Sequence, residues 1–219
     1  MEKEAKILIG LGIATVAVLI GGSLLMSRPT SQQSTETKTY EESLLVGENP
    51  HVEGAAEPKV TIVEFGDFQC PACSASHPIT KQVLGQYGDS VKFVFRHFPL
   101  EMHDHAFDAA RAAEAAGAQG KFWEMHDKLY ENQEDWAEKD DYLAKFEVYA
   151  KDIGLNLDEY KKAMADKPYD PIISKGLTDG TAAGVNATPT FFINGQKMAG
   201  VFTFDEWKKL LDKVLAENK

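Results

Sequence analysis

The sequence predicts an α/β fold in which a mixed β-sheet with flanking helices is interrupted by an all-helical insertion, and one N-terminal transmembrane helix precedes this fold. Three observations support the prediction. A strand–helix–strand unit occupies residues 60–97, a β-hairpin followed by a helix occupies residues 190–216, and every segment between about 104 and 183 has a helical pattern. Strand–helix–strand units pair in parallel and hairpins pair antiparallel, so the sheet is expected to be mixed.

An uncharged, largely apolar run over residues 7–26 predicts the N-terminal helix. As a helix it would be about 30 Å long, enough to cross a bilayer. The alternative is a cleaved signal peptide, whose apolar region is usually about 7–15 residues long and ends in small residues. The longer run here is followed by Ser27-Arg28-Pro29, which favours an uncleaved membrane anchor over residues 1–28.

The rest of the chain is predicted to divide into four parts. Residues 29–43 are rich in Ser, Thr, Gln and Glu. They predict a flexible linker, because such a composition buries too little apolar surface to order itself. The α/β domain is expected to begin with residues 44–103 and to finish with residues 177–219, and the helical domain is expected to be inserted between them over residues 104–176.

Two β-branched runs and a helix justify the first half of the α/β domain. Residues 60–65 form the first run, bounded by Pro58 and Gly66, and residues 91–97 form the second. The intervening helix is predicted over residues 71–87, where Pro78 is expected to kink it. The two strands are therefore expected to be parallel neighbours.

The second half of the domain is predicted from a turn and a helix cap. Asn194-Gly195 predicts a type I′ turn between strands at 190–193 and 196–199. Thr203 and Glu206 form a capping box for a last helix over residues 204–216. In the insertion, helical patterns cover residues 106–116, 122–130, 142–152 and 157–165, and a final segment runs to residue 183.

Cys70 and Cys73 are the two cysteines of the chain, and three interpretations are open for them. A zinc site needs about four ligands, and His77, His103 and His105 are the candidates to complete one. A structural disulfide would close a very small loop and would stabilise by only about 2 kcal/mol. Redox chemistry is favoured because the pair lies where a strand gives way to a helix.

The position at a helix N-terminus is the reason to expect a reactive thiol. Unpaired amides and the positive end of the helix dipole favour a thiolate, and a pKa of about 5 would leave Cys70 almost wholly ionised. Cys70 precedes the helix and is expected to be exposed, whereas Cys73 is expected to be covered. Cys70 is therefore predicted to be the nucleophile and Cys73 the resolving thiol. Pro71 suits the first turn, where its missing N–H costs nothing.

Glu64 and Pro189 are further candidates, each with an alternative interpretation. Glu64 lies in a strand expected to be buried on both faces. In one interpretation Glu64 forms an ion pair or lies at a strand end at the surface. In the other, its carboxyl group has a raised pKa and relays protons to and from Cys73. Pro189 is ordinarily the start of an edge strand, but a cis Thr188–Pro189 bond would leave backbone groups free to pair with a substrate chain.

Four motifs in combination resemble the DsbA-like thiol:disulfide oxidoreductases, and most closely their membrane-anchored bacterial branch. They are VEFGDFQCPAC at 63–73, FRHFPL at 95–100, GKFWEMH at 120–126 and TPTFF at 188–192. The resemblance implies a thioredoxin fold with an inserted helical domain, and the activity of a protein disulfide oxidoreductase.

The resemblance also implies roles for particular residues and for partners. The implied catalytic residues are Cys70 and Cys73 as the redox-active disulfide, Glu64 as the buried carboxylate and Pro189 as the cis-proline. Substrate contacts are implied for Pro71, Ala72 and Thr188. The substrates would be reduced or misoxidised proteins, a membrane quinone-linked thiol oxidase would recycle the pair, and neither a metal nor a bound cofactor is expected.

Some expectations about function remain alternatives. Ala72 stands where strongly oxidising members have histidine and cannot donate to the Cys70 thiolate, so a weaker oxidant is expected. The domain is expected outside the cytoplasm, held at the membrane by the N-terminal helix. An oxidase is favoured over an extracytoplasmic reductase or isomerase, and over a non-catalytic tethered chaperone or metal-binding module. The net charge of −11 argues against nucleic acid as a partner.

Overall fold

A mixed five-stranded sheet forms the centre of the part of the chain that the structure, a computed structural model, describes, residues 39–217. The strand order is β1-β3-β2-β4-β5, and only β2 and β3 are parallel. The mixed sheet predicted from the sequence is therefore confirmed. The strands are β1 (His51–Gly54), β2 (Val60–Gly66), β3 (Val91–His97), β4 (Thr190–Ile193) and β5 (Gln196–Ala199).

Strand β1 was not predicted from the sequence. It is four residues long and alternates between half-buried and exposed positions, and two of its residues, Glu53 and Gly54, are of types depleted in strands. Pairing with β3 holds it in an extended conformation, with His51 opposite Phe95. Pairing with β3 therefore forms this strand, because two of its four residues have little β-propensity.

The sequence did not predict the short helix over Glu42–Val46. The other helices have nearly the bounds that their patterns predict, and five of them lie between β3 and β4. The helix over Asp170–Ala182 crosses residue 176, where the sequence placed the end of the inserted domain. The α-helices of residues 39–217 are α1 (Glu42–Val46), α2 (Pro71–Tyr87), α3 (Ala106–Gly117), α4 (Phe122–Glu131), α5 (Tyr142–Asp152), α6 (Leu157–Asp166), α7 (Asp170–Ala182) and α8 (Phe204–Glu217).

The end of the predicted linker belongs to the folded domain. Thr39 forms a bridge with Gln196, and the Tyr40 amide donates to the Gly195 carbonyl at 3.0 Å. The Tyr40 ring contacts the Phe192 ring edge-on at 5.4 Å. Backbone pairing and the Tyr40 ring together therefore attach this end of the predicted linker to the hairpin.

The predicted membrane anchor over residues 1–28 lies outside the described residues. Within residues 39–217, no helix has the length and apolar character needed to cross a membrane.

The sheet is buried on both faces because helices cover both. One face of β2 and β3 packs with Ile62, Phe93 and Phe95 into the larger core, which includes α3 and α4. The opposite face packs Val63 and Val94 into a second cluster beside α7. The carboxyl end of β2, where the cysteine motif begins, is therefore held in a rigid frame.

Helix α7 approaches β3 closely through a glycine. A methyl group on Gly176 would lie 2.3 Å from the carbonyl oxygen of His97, far inside van der Waals contact. Gly176 is itself buried. The backbone of α7 therefore packs directly against the last residue of β3.

We expect Gly176→Ala to lower the free energy of unfolding by about 1–3 kcal/mol, because backbone must shift to admit the methyl group. Gly85→Ala in α2 is the matched control, since a methyl group there meets no atom within 4 Å. Gly85→Ala should raise the free energy of unfolding by about 0.5–1 kcal/mol. Urea denaturation of both variants measures the difference, and equal stabilities would show that α7 does not pack against β3 in this way.

Candidate active site

Cys70 is the N-cap residue of α2, and Cys73 lies in its first turn. Cys70 has an extended backbone, with φ −71° and ψ 121°, and its carbonyl accepts hydrogen bonds from the amides of Cys73 at 3.1 Å and Ser74 at 3.2 Å. Pro71 occupies the first helical position and is exposed to solvent. The two thiols are free. The sequence prediction for this motif at a helix N-terminus is thus confirmed in its geometry.

Cys70 is less exposed than the sequence suggested. Its exposed fraction is 7%, against 0% for Cys73, so both residues are buried. The expectation of an exposed Cys70 is wrong because the loop before β4 lies over it. Sγ of Cys70 lies 3.4 Å from the carbonyl oxygen of Thr188 in that loop.

The two thiols have opposite pKa shifts. The hydrogen bond from the Cys73 thiol is the largest cause that lowers the pKa of Cys70 to about 5. Burial opposes this shift, while the Thr188 side chain and the amides of Ala72 and Cys73 add to it. For Cys73, burial raises the pKa well above its ordinary value, and its donation to Cys70 raises it further. One thiol therefore serves as the donor that stabilises the other as an anion.

The peptide bond between Thr188 and Pro189 is cis, which the sequence had left open. The loop reaches Cys70 through the Thr188 carbonyl, so residues separated by more than a hundred positions meet at one sulfur. The Thr190 hydroxyl donates to the Ala187 carbonyl at 2.7 Å and fixes the loop where β4 begins. Cys70, Cys73, Thr188 and Pro189 are thus brought together.

Glu64 lies in the middle of the sheet, paired with Phe95 of β3 and Phe191 of β4. Its exposed fraction is 4%, and no ion pair or hydrogen bond to its carboxyl group occurs within the described residues. Burial raises its pKa to about 8, and the charge of Cys70 adds to the shift. The ion-paired and surface interpretations of Glu64 are therefore excluded, and the carboxyl is protonated at neutral pH.

Residues of the helical insertion support the cysteine motif, and the sequence did not identify them. The Gln133 side-chain amide donates to the carbonyls of Phe68 and Cys70, at 2.6 and 3.0 Å. Tyr130 is buried, and burial followed by the charge of Cys73 raises its pKa well above the ordinary value. Nothing in the local sequence pattern of α4 or its following turn marks these two residues as neighbours of the cysteines.

Asp67 and Gln69, in the loop before Cys70, also escaped the sequence prediction. Asp67 is 1% exposed and accepts hydrogen bonds from the amides of Gln69 at 2.8 Å and Leu100 at 2.9 Å. Gln69 donates to the Ala137 carbonyl at 2.6 Å. These side chains hold the loop in one shape, and their position within the VEFGDFQCPAC motif was the available signal.

The three histidines that the sequence suggested as further zinc ligands beside the cysteines contact other residues. The His103 ring contacts Asp67 at 2.6 Å, and the His105 ring stacks on Tyr142. His77 is buried beside His126, with ring centroids 5.3 Å apart. No group of three possible metal ligands in the described part of the chain includes a cysteine.

Comparison with known proteins agrees with this architecture. Residues 47–213 match the family described as Thioredoxin. A curated relative, the Na⁺/H⁺ antiporter NhaA 1 of Salinispora arenicola, is 38% identical over 156 residues. The alignment covers 71% of this chain but 23% of the relative, so this chain corresponds to about a quarter of that protein's length.

Solved structures share the fold. Wolbachia pipientis alpha-DsbA1 superposes with a TM-score of 0.69 at 22% identity, covering 81% of this chain and 96% of that chain. BdbD from Bacillus subtilis, in its oxidised form, gives a TM-score of 0.69 at 24% identity, covering 82% and 97%. The resemblance read from the motifs is confirmed at the level of fold: the chain belongs to the thioredoxin family and has the fold of its DsbA-like members.

Proposed function

We propose that this protein is an extracytoplasmic thiol:disulfide oxidoreductase that introduces disulfides into secreted or surface proteins. The observation that carries the proposal is the opposite shift of two adjacent thiols, with the pKa of Cys70 lowered to about 5 and that of Cys73 raised. A thiolate of low pKa is a good leaving group in thiol–disulfide exchange. Cys70 is therefore the sulfur that forms and releases the bond to a substrate.

The reaction begins with the Cys70–Cys73 disulfide. A substrate thiolate attacks the Cys70 sulfur, the bond to Cys73 breaks, and Cys73 leaves as a thiolate that takes up a proton. A second substrate thiolate attacks the substrate sulfur of this mixed disulfide and expels Cys70 as a stable thiolate. Two electrons pass from the substrate to the protein, which ends as the dithiol present in the structure.

Glu64 supplies and accepts the proton of Cys73. Its carboxyl is protonated at neutral pH and is coupled electrostatically to both cysteines. When Cys73 leaves as a thiolate in this buried place, proton transfer from the carboxyl removes the negative charge from sulfur. The protonated carboxyl is thus a proton donor matched to the pH of the reaction.

Three residues around Cys70 are proposed to bind the substrate chain: Pro71, Ala72 and Thr188. Pro71 is exposed beside the nucleophile, Ala72 is half-buried next to it, and Thr188 precedes the cis Pro189. Backbone of an extended substrate can pair with this loop while its cysteine reaches Cys70.

The catalytic domain is proposed to lie outside the cytoplasm, anchored by residues 7–26. Disulfides form and persist in oxidising compartments, where a membrane quinone-linked thiol oxidase would reoxidise the dithiol. A cytoplasmic protein would meet a reducing thiol pool instead.

The reduction potential decides between an oxidase and a reductase. Ionisation of a thiol with a pKa of about 5 stabilises the reduced form by about two pKa units at pH 7, equivalent to about 60 mV. We expect a potential between that of thioredoxin, about −270 mV, and that of DsbA, about −120 mV. Equilibration with glutathione measures it, and Ala72→His should raise it because a donor to Cys70 is added. A value at or below thioredoxin's would identify a reductase.

Alkylation of the reduced protein measures the pKa of Cys70. The rate with iodoacetamide should rise with a midpoint of about 5, and Cys73→Ala should move the midpoint toward the ordinary 9.0 because it removes the largest stabilising hydrogen bond. Cys70→Ser is the control, in which the buried Cys73 should react slowly at every neutral pH. An alkaline midpoint in the unaltered protein would contradict the proposed chemistry.

Glu64→Gln should slow turnover and remove the titration near pH 8 from the pH–rate profile, because the amide keeps the shape of the protonated carboxyl but transfers no proton. Oxidation of a peptide dithiol, followed from about pH 5 to about pH 9, gives the profile. Glu53→Gln is the matched control, since that carboxyl lies on β1 and its charged neighbours are Lys81 and Asp127. If Glu64→Gln keeps the titration, Glu64 has no part in proton transfer.

A further inference from the structure

Two histidines and a glutamate from three separate elements meet at one carboxylate oxygen. His51 of β1 and His97 of β3 each place Nε2 on Oε1 of Glu114 in α3, at 2.9 and 2.8 Å. His97 and Glu114 are each 4% exposed, and the His51 side chain is 23% exposed. The proposed disulfide chemistry uses none of these residues.

We propose that His51, His97 and Glu114 form a binding site for a divalent transition metal ion of the zinc class. Two imidazoles and one carboxylate are a ligand set that zinc takes in proteins, with a fourth position left for water. Imidazole nitrogen also favours late first-row ions over magnesium or calcium. The class of metal follows from the donor atoms.

The ligand atoms need to move little to hold such an ion. The three ligand atoms all lie within 4.8 Å of one another. Tetrahedral bonds of about 2.1 Å place two ligands about 3.4 Å apart, so each nitrogen would retreat from the oxygen by about half an ångström. Each histidine binds the ion through Nε2 as a neutral imidazole. The proton that Nε2 donates to Glu114 in the absence of the ion therefore moves to Nδ1 by exchange with water.

The surroundings favour a fixed site with an open position. The His51 ring stacks on Phe122, with centroids 3.5 Å apart, which sets the orientation of the imidazole. A cavity of about 220 Å³ lies beside the three residues and can supply water as the fourth ligand. Arg96 and Lys175 also line this cavity, and both are paired with Asp179 at 2.6 Å. Glu48 lines the cavity too, so two carboxylates balance the two positive charges.

A second cluster, His77, His126 and Asp127, is the competing location within the described residues. Its carboxylate is already paired with the Lys81 ammonium, whose positive charge opposes a metal ion. Glu114 forms ion pairs only with histidines among the described residues. Charge therefore favours the cluster at Glu114.

Binding is tested on the full chain with both cysteines replaced, Cys70→Ser and Cys73→Ser, so that no thiolate can hold the metal. Titration with Co²⁺ should give one ion per chain and the visible absorption of a tetrahedral site, without a thiolate charge-transfer band. Zn²⁺ should displace the cobalt and raise the melting temperature. Because the cysteines are absent, the result is independent of the disulfide chemistry.

Variants locate the ion. His51→Ala should weaken binding by at least about tenfold, and Glu114→Gln should do the same. His51 lies on an edge strand, so His51→Ala keeps the test available if Glu114→Gln does not fold. His77→Ala is the matched control and should leave the affinity unchanged. Loss of binding in His77→Ala with retention in His51→Ala would overturn the proposal, as would absence of binding at millimolar Zn²⁺.

Discussion

A negative charge on Cys70 has to be stabilised in a buried place, and no cation of the described residues is among the groups that do so. The groups that lower its pKa are the Cys73 thiol, the Thr188 side chain and two backbone amides of the first helical turn. Its ionisable neighbours Glu64 and Tyr130 would add negative charge, and each has a raised pKa. Because like charges close together cannot all ionise, the anion is confined to one sulfur, and the other groups remain protonated around it.

Three equally buried carboxyl groups differ in their pKa because they differ in their hydrogen-bond and ion-pair partners. Glu64, Glu114 and Asp179 are each 4% exposed. Glu64 has no partner among the described residues, and its pKa rises to about 8. Burial alone would raise the pKa of Glu114 too, but hydrogen bonds from two histidines hold it at about 2. Asp179, between Arg96 and Lys175, also has a lowered pKa. Of these three, the carboxyl beside the cysteines is thus the one that can exchange a proton near neutral pH.

The helical insertion is part of the site and does not simply cover it. Gln133 donates to the carbonyls of Phe68 and Cys70, and the Ser74 hydroxyl donates to the Tyr130 carbonyl at 3.1 Å. The loop that carries Cys70 is therefore held from the insertion as well as from β2. Rigid support of this kind fixes the donors around the thiolate before a substrate arrives, so little reorganisation accompanies its formation.

The sequence by itself determined the elements whose signals are local. Asn194-Gly195 set the hairpin, β-branched runs set β2 and β3, and Cys-x-x-Cys before a helix set the position of the reactive thiol. Tertiary structure alone decided the rest, because the deciding contacts join residues far apart in the chain. Pairing with β3 made His51 part of a strand, the Thr188 loop covered Cys70, and the absence of any partner within the described residues left Glu64 protonated. Local pattern reports which residues are buried, but which groups meet inside the core depends on how the elements pack.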